Sequence, residues 1–345
     1  MKKYKYGIIG SFVIGKNTYG GQSIKTRNFT EALETKIGKE NVFRVDTYGW
    51  KKHPFRLIFN ILGILNKSEE IVILPADRGV LVIPRLVKFL RGFRKIKLHY
   101  VVIGGWLPEF LLNRKTLSRV LKKYDGIYVE TNSMKTALEC QGFTNIYVLP
   151  NFKKLHILEE NELIYPEGYP LRLCTFSRVM KEKGIEDAIN AVIKANEKLQ
   201  TTAFSLDIYG QVDGNYETLF TDIKKSLPSY IKYMGMADGS KSTSIIKNYF
   251  VLLFPTYFYG EGYPGTLLDA FSAGVPTIAS DWRYNGEIVG GDKGLLHEPK
   301  NVEALADLLV DVYQDMNIVI SKKENCLNYA VTMTPENIIE IFCKS

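Results

Sequence analysis

The stretch RLCTFSRVMKEKGIEDAINAVIKANEK, residues 172–198, decides how the rest of the chain is read. Residues 172–176 form a short, mostly apolar run of the length of one buried strand. Residues 176–184 are charged and end in Gly184. Residues 185–198 then spread apolar positions at helical spacing. A strand, a turn and an amphipathic helix in that order make half of a parallel βαβ unit.

The same alternation extends outward in both directions. Upstream, strands are expected at 6–9, 42–46, 71–74, 98–103, 126–130 and 146–149, with helices such as 23–36, 79–91 and 133–141 between them. Downstream, strands follow at 205–209, 230–233, 251–254, 277–279 and 294–296, with helices at 265–273 and 302–315. The periodicity lapses over 159–170, a stretch with Glu, Asn, Gly and two prolines, which reads as a linker. The expected architecture is therefore α/β, with two Rossmann-like, doubly wound domains in tandem at 1–160 and 161–330. Residues 331–345 hold a last helix, at 335–342, placed to pack back toward the first domain. Ligands of open parallel sheets sit beyond the carboxyl ends of the strands, so two such edges facing each other would make a central cleft.

Bulk properties narrow the class. At 345 residues the chain suits two domains. Cys140, Cys174, Cys326 and Cys343 are scattered, which argues against a disulfide framework or a structural zinc site. No apolar run approaches the roughly 20 residues needed to span a bilayer. The start, MKKYKYGIIGSFVIGKN, is broken by glycines and reads as a first strand and not a signal peptide, so a cytoplasmic protein is expected. The net charge of +8 is unevenly divided. Residues 1–160 hold 28 Lys and Arg against 13 Asp and Glu, and residues 161–345 hold 17 against 24. A solvated basic surface, an anionic membrane or a nucleic acid would each account for the basic half. No nucleic-acid-binding motif accompanies the charge, so nucleic acid is not expected as a partner.

What is missing narrows the chemistry further. The chain has no G-x-G-x-x-G after its first strand, no G-x-x-x-x-G-K-[ST], no H-E-x-x-H and no G-x-S-x-G. Its four histidines are not spaced as metal ligands, and no D-x-D is present to hold a divalent ion, so no metal is expected. A diphosphate bound here would need Arg, Lys and backbone N–H groups to absorb its charge.

Three segments could supply them. Asn17-Thr18-Tyr19-Gly20-Gly21-Gln22-Ser23 joins the first strand to the first helix. Its paired glycines would let a ligand approach the backbone, and the helix N-terminus favours an anion, although a plain loop reads equally well. Phe176-Ser177-Arg178-Val179-Met180-Lys181-Glu182-Lys183-Gly184 brings Arg178 and Lys183 to a strand end, as diphosphate ligands or as a solvated helix start. The third segment is Glu261-Gly262-Tyr263-Pro264-Gly265-Thr266-Leu267-Leu268-Asp269. It leads glycines and a proline into a short helix, with acids at Glu261 and Asp269 that suit a hydroxyl-rich ligand or are ordinary surface carboxylates.

With these segments in this order, the chain resembles, nearly end to end, the GT-B family of retaining glycosyltransferases called family 4 (glycosyltransferases group 1), which includes bacterial capsule and O-antigen enzymes. The third segment looks like that family's E-x7-E signature. The resemblance implies that Gly20 and Gly21 cover the donor diphosphate and that Arg178 and Lys183 bind its oxygens. It implies that Glu261 touches sugar hydroxyls, with Tyr263, Pro264, Gly265 and Thr266 beside the sugar and phosphate, and that Asp269 holds the ribose. Here Asp269 stands where the family usually has Glu. The family's histidine near the sugar is replaced by a segment containing Gly104, Gly105, Trp106 and Glu109, which becomes the candidate sugar and acceptor pocket. The implied reaction is metal-independent transfer of a hexosyl group, with retention, from a nucleotide sugar to an alcohol. The donor is expected to be a UDP-sugar before a GDP-sugar, acting as substrate, with no resident cofactor. The expected acceptor is a lipid-diphosphate-linked saccharide in surface polysaccharide synthesis, reached by peripheral contact with the inner face of an anionic membrane. A non-catalytic GT-B partner subunit and a nucleotide-sugar epimerase are the alternatives.

One sequence feature bears on that contact. Residues 84–97 set Arg85, Lys88, Arg91 and Lys95 three or four apart, as one face of a helix, with Leu86, Phe89, Leu90 and Phe93 on the rest. The apolar side could simply cover the domain's own sheet.

Overall fold

The computed structural model describes residues 3–14, 20–76 and 79–345. Two units divide it: Met1–Lys154 with Met333–Ser345, and Leu155–Thr332.

The first unit is built on β1 (Tyr4–Gly10), β2 (Val42–Asp46), β3 (Ser68–Leu74), β4 (Lys97–Val101), β5 (Gly126–Val129) and β6 (Ile146–Val148). They form one parallel sheet in the order β2-β1-β3-β4-β5-β6. The inner strands are mainly apolar along their buried parts because helices cover both faces of a parallel sheet, while edge strand β2 carries Arg44 and Asp46. Ile8, Ile9, Val72, Ile73, Tyr100 and Ile127 are fully buried. Helices α1 (Gly21–Ile37), α2 (Pro54–Lys67) and α3 (Gly79–Arg91) follow β1, β2 and β3. The last helix, Pro335–Lys344, packs on α1. Its Phe342 ring meets Phe29 at 5.1 Å, Tyr128 at 4.9 Å and His99 at 5.6 Å.

The second unit contains β7 (Leu171–Phe176), β8 (Phe204–Tyr209), β9 (Ile231–Gly235), β10 (Val251–Phe254), β11 (Thr277–Ser280) and β12 (Gly294–His297). The sheet order is β12-β11-β10-β7-β8-β9, again parallel. Helices Ile185–Leu199 and Val302–Gln314 pack against each other, and Ile189, Val192, Leu305 and Leu309 join the core formed by Leu173, Leu206 and Ile208.

Strand order fixes where a ligand can sit. In each sheet the chain winds outward one way and then the other, and the loops at the reversal splay apart to leave a crevice. The reversal lies between β1 and β3 in the first unit and between β7 and β10 in the second.

One expectation needs correction. The helix expected at 79–91 is present with those bounds, but the single helix face read over 84–97 is not, because Gly92 takes φ 55°, a left-handed conformation that stops the helix at Arg91. Lys95 therefore leaves the basic face. Arg85 donates to the carbonyl of Leu81 at 2.6 Å and Arg91 to that of Ile96 at 2.9 Å, so part of each guanidinium is held by the protein's own backbone. The sheet side of α3 is lined by Val80, Ile83 and Val87, and Phe89 and Phe93 point into solvent.

Candidate functional site

At the second reversal the loop after β7 carries both expected cations. The strand pairing continues past Phe176: the Ser177 amide donates to the carbonyl of Tyr209, that of Val179 to Gln211, and that of Asp213 back to Val179. This close approach depends on Gly210 (φ 142°), where a Cβ would lie 1.8 Å from the carbonyl oxygen of Ser177. Arg178 is thereby carried out beyond the sheet, its side chain 55% exposed and its Nη1 3.5 Å from Asp213 Oδ2.

The loop then turns through Lys181–Lys183 to Gly184 (φ 70°), where a Cβ would meet the carbonyl oxygen of Pro255 at 2.1 Å. The missing side chain lets the start of helix Ile185–Leu199 sit directly on the loop after β10. Lys183 Nζ lies 2.5 Å from Glu261 Oε2, and the two side chains are only 14% and 9% exposed. The Thr256 hydroxyl adds a bond to the same carboxylate oxygen at 3.0 Å. Phe254 and Phe258 present their rings to the ammonium at 5.6 and 5.2 Å. The two groups read separately from sequence, one for phosphate and one for sugar hydroxyls, are thus a single buried ion pair. An anion bound beside Lys183 would share the ammonium with Glu261.

Helix Gly265–Ser272 begins after Pro264 with no side-chain cap, so its first N–H groups are offered outward at the positive end of the helix. Thr266 ties this end to β7 by donating to the Phe176 carbonyl at 2.7 Å. Tyr263 is buried and its hydroxyl meets that of Tyr329 at 2.8 Å, which leaves its backbone as the part beside the helix start. Asp269 is 4% exposed, four residues into the helix, and accepts from the Ser242 hydroxyl at 2.5 Å. Asp213, Ser242 and Thr256, which touch three of the expected site residues, had no local signal in the sequence. A hollow of about 570 Å³ next to this loop system is lined by Gln211, Val212, Gly214, Tyr233 and Met236 among others.

In the first unit, Asn17, Thr18 and Tyr19 lie outside the described residues. Gly20 and Gly21 open α1, both exposed, and a Cβ at either would meet nothing within 4 Å. One turn further on, buried Lys25 pairs with buried Glu130 at the end of β5. Glu130 also accepts from the amide of Gly104 (φ 83°) at 3.4 Å. This pair ties the α1 start to the 104–105 loop. Trp106 is held by its indole N–H on the Ile103 carbonyl at 2.9 Å and by an edge contact with Phe110, while Glu109 is exposed on the short helix that follows. A smaller hollow of about 190 Å³ lies at the carboxyl ends of β1, β2 and β3, lined by Ser11, Gln22, Thr47, Trp50 and Pro75 among others.

Residues 170–315, within the second unit, match the family model described as Glycosyl transferases group 1. The same part of the fold holds Arg178, Lys183, Glu261 and Asp269. Among curated proteins, the chain is 33% identical over 148 residues to the UDP-N-acetylglucosamine–peptide N-acetylglucosaminyltransferase GtfA subunit of Streptococcus pneumoniae. That match covers 42% of this chain and 27% of the relative, so the chain spans about a quarter of that relative's length. It is 29% identical over 86 residues to the O-antigen chain mannosyltransferase B of Escherichia coli, covering 25% of this chain and 22% of that one. Among solved structures, Anabaena Alr3699/HepE in complex with UDP and glucose superposes with a TM-score of 0.71 at 14% identity, over 99% of this chain and 98% of the other. The fold is GT-B.

Proposed function

We propose that this chain is a metal-independent, retaining glycosyltransferase that moves a hexosyl group from a UDP-sugar to an alcohol. The observation that carries the reading is the grouping, at the reversal between β7 and β10, of exposed Arg178, the Lys183–Glu261 pair and the uncapped start of helix Gly265–Ser272. Arg178, Lys183 and the helix start are its positive groups for a diphosphate, and Glu261 is its acceptor for hydroxyls. As the anomeric C–O bond breaks, the electron pair passes to the leaving phosphate. Arg178, Lys183 and the helix N–H groups stabilise the charge that grows there, more strongly in the transition state than in the ground state. The acceptor hydroxyl attacks from the same face of the sugar, and its proton passes to the departing phosphate oxygen, so no protein nucleophile is needed. Glu261, oriented by Lys183 and Thr256, accepts hydrogen bonds from sugar hydroxyls. Asp269, with Ser242, serves the ribose, and the hollow beside Gln211 and Tyr233 receives the base.

Preference for UDP draws support from the likeness to the Streptococcus pneumoniae UDP-N-acetylglucosamine–peptide N-acetylglucosaminyltransferase subunit and to the UDP complex of Anabaena Alr3699/HepE. The acceptor in this reading is a lipid-diphosphate-linked saccharide, as in capsule or other surface polysaccharide synthesis. The first unit bears the basic excess and would touch the inner face of the membrane. The test is turnover of a panel of UDP- and GDP-sugars by the purified chain in excess EDTA, with thermal stability read in parallel. A donor present at one hundred times its Kd stabilises by about 2.7 kcal/mol. Activity that EDTA abolishes and Mg²⁺ or Mn²⁺ restores would refute the metal-independent mechanism. No stabilisation by any nucleotide sugar would refute the donor site.

A further inference from the structure

The first unit has a surface that neither reversal point uses. Helices α2 and α3 touch each other, and α2 also packs on β1 and β3. Each helix buries one stripe: Leu57, Ile61, Ile64 and Leu65 on α2, and Val80, Ile83 and Val87 on α3. The outer stripe of such a helix is ordinarily polar. Here it is aromatic. Phe55 and Phe59, one turn apart on α2, are 75% and 72% exposed, Phe89 on α3 is 81% exposed, and Phe93 just beyond it is fully exposed. Of the chain's 18 phenylalanines these four are the exposed ones. Single exposed apolar residues are common, but three rings on two touching helices and a fourth just beyond α3 are a concentration of the kind that marks an interaction surface.

The charge around the patch has one sign. Residues 47–68 contain Lys51, Lys52, Arg56 and Lys67 and no Asp or Glu. Residues 79–108 contain Arg85, Lys88, Arg91, Arg94, Lys95 and Lys97, and again no acid. Lys51, Lys52, Arg56, Arg94, Lys95 and Lys97 are exposed. Asp125, which acts on Lys88 from outside both segments, is a nearby counter-charge. A second copy docking face to face through this surface would bring cations against cations, which costs association. An anionic leaflet supplies both complements at once, lipid phosphates for the cations and an acyl boundary for the rings. Among the described residues no helix is long and apolar enough to cross a membrane.

We infer that α2 and α3 form a membrane-docking face whose four phenylalanine rings enter the headgroup–acyl boundary of an anionic leaflet while the surrounding cations meet lipid phosphates. The inference deepens the membrane-side acceptor reading and rests on it for its purpose. Trp50 and Lys51, just ahead of α2, and Gly79 and Ile83, in the first turns of α3, line the hollow at the carboxyl ends of β1, β2 and β3. The N-terminal ends of both helices thus border a hollow of the same unit.

The test uses the full chain with sedimentable vesicles of phosphatidylcholine, alone or mixed with phosphatidylglycerol. Binding should require the anionic lipid, fall with salt, and drop roughly tenfold or more in a variant combining Phe55→Ser, Phe59→Ser, Phe89→Ser and Phe93→Ser. Since all four positions are exposed, that variant should keep the parent's circular dichroism and melting temperature. A variant with Lys51→Gln, Lys52→Gln and Arg56→Gln should lose part of the salt dependence. No vesicle binding by the parent, or binding that the four serines leave unchanged, overturns the inference. So does a parent that self-associates in sedimentation velocity through these rings and ignores vesicles, which gives the face to a second copy. UDP-sugar binding, read by thermal shift on the same samples, keeps the two readings apart. Loss of vesicle binding with donor binding retained upholds the docking face. A parent that binds vesicles but no nucleotide sugar upholds it too and sinks the transferase reading alone.

Discussion

Replacing Lys183 by Met removes the charge at nearly constant volume and leaves the Glu261 carboxylate in a pocket where only 9% of its side chain is exposed. Breaking a fully buried ion pair costs about 3–5 kcal/mol, because the remaining charge is stranded. Glu261 keeps the Thr256 hydroxyl at 3.0 Å and the pair is not fully enclosed, so a loss just below that range, about 2–3 kcal/mol, is expected. In a unit of this size each kcal/mol moves the melting temperature by about 2–4 °C, which gives a drop of about 4–12 °C for Lys183→Met. Adding Glu261→Gln removes the stranded charge and should restore most of that stability, since the two sites are in contact and their effects couple. Turnover should behave differently. Both the single and the double variant lack the cation that faces the leaving phosphate, and kcat should stay on the order of 10²–10³ below the parent in each. Thermal scans and steady-state kinetics on the same preparations give both quantities. An unchanged melting temperature for Lys183→Met would refute the buried pair. Recovery of turnover in the double variant would refute the phosphate role, because it would mean that Lys183 serves only to neutralise Glu261.

Three further outcomes are expected. Gly21→Ala places a methyl group in empty space in the first turn of α1, so it should stabilise the chain by up to about 1 kcal/mol, yet raise the donor KM if the diphosphate approaches this backbone; an alanine variant with full kcat/KM would remove the ligand from the α1 start. Asp269→Asn should raise the donor KM with a smaller effect on kcat, and the reverse split would move this residue from the ribose to the chemistry. The Glu70 carboxyl is held down at about 2 from an ordinary 4.5, first by its hydrogen bond with His99 and then by Lys5. A depressed folded pKa gives stability that is fully present above pH 4.5 and is lost as pH falls from there toward 2. Glu70→Gln should therefore flatten acid unfolding in that window, and an acid limb identical to the parent's would show that the pair is not coupled to folding.

The strands were legible because parallel strands covered on both faces are short segments rich in apolar and β-branched residues. All twelve lie within three residues of where those segments stand in the sequence, and β2 and β10 match them end for end. The glycines at 184 and 265 were legible too, as punctuation where a strand or loop meets a helix. The site's pairings were not. Lys183 and Glu261 are 78 residues apart, Ser242 and Asp269 27 apart, and Lys25 and Glu130 105 apart. Local patterning carries no information about such distances. They are set by which strands become neighbours, above all by β10 returning to lie beside β7. The surface of α2 and α3 follows the same rule. Sequence determined that both segments are basic and apolar and that 79–91 is helical, but periodicity alone cannot say which stripe meets the sheet. Only packing decided that aliphatic Ile61, Ile64, Ile83 and Val87 face inward and that the rings of Phe55, Phe59 and Phe89 are left outside, because a helix laid on a sheet buries one stripe and must expose the other.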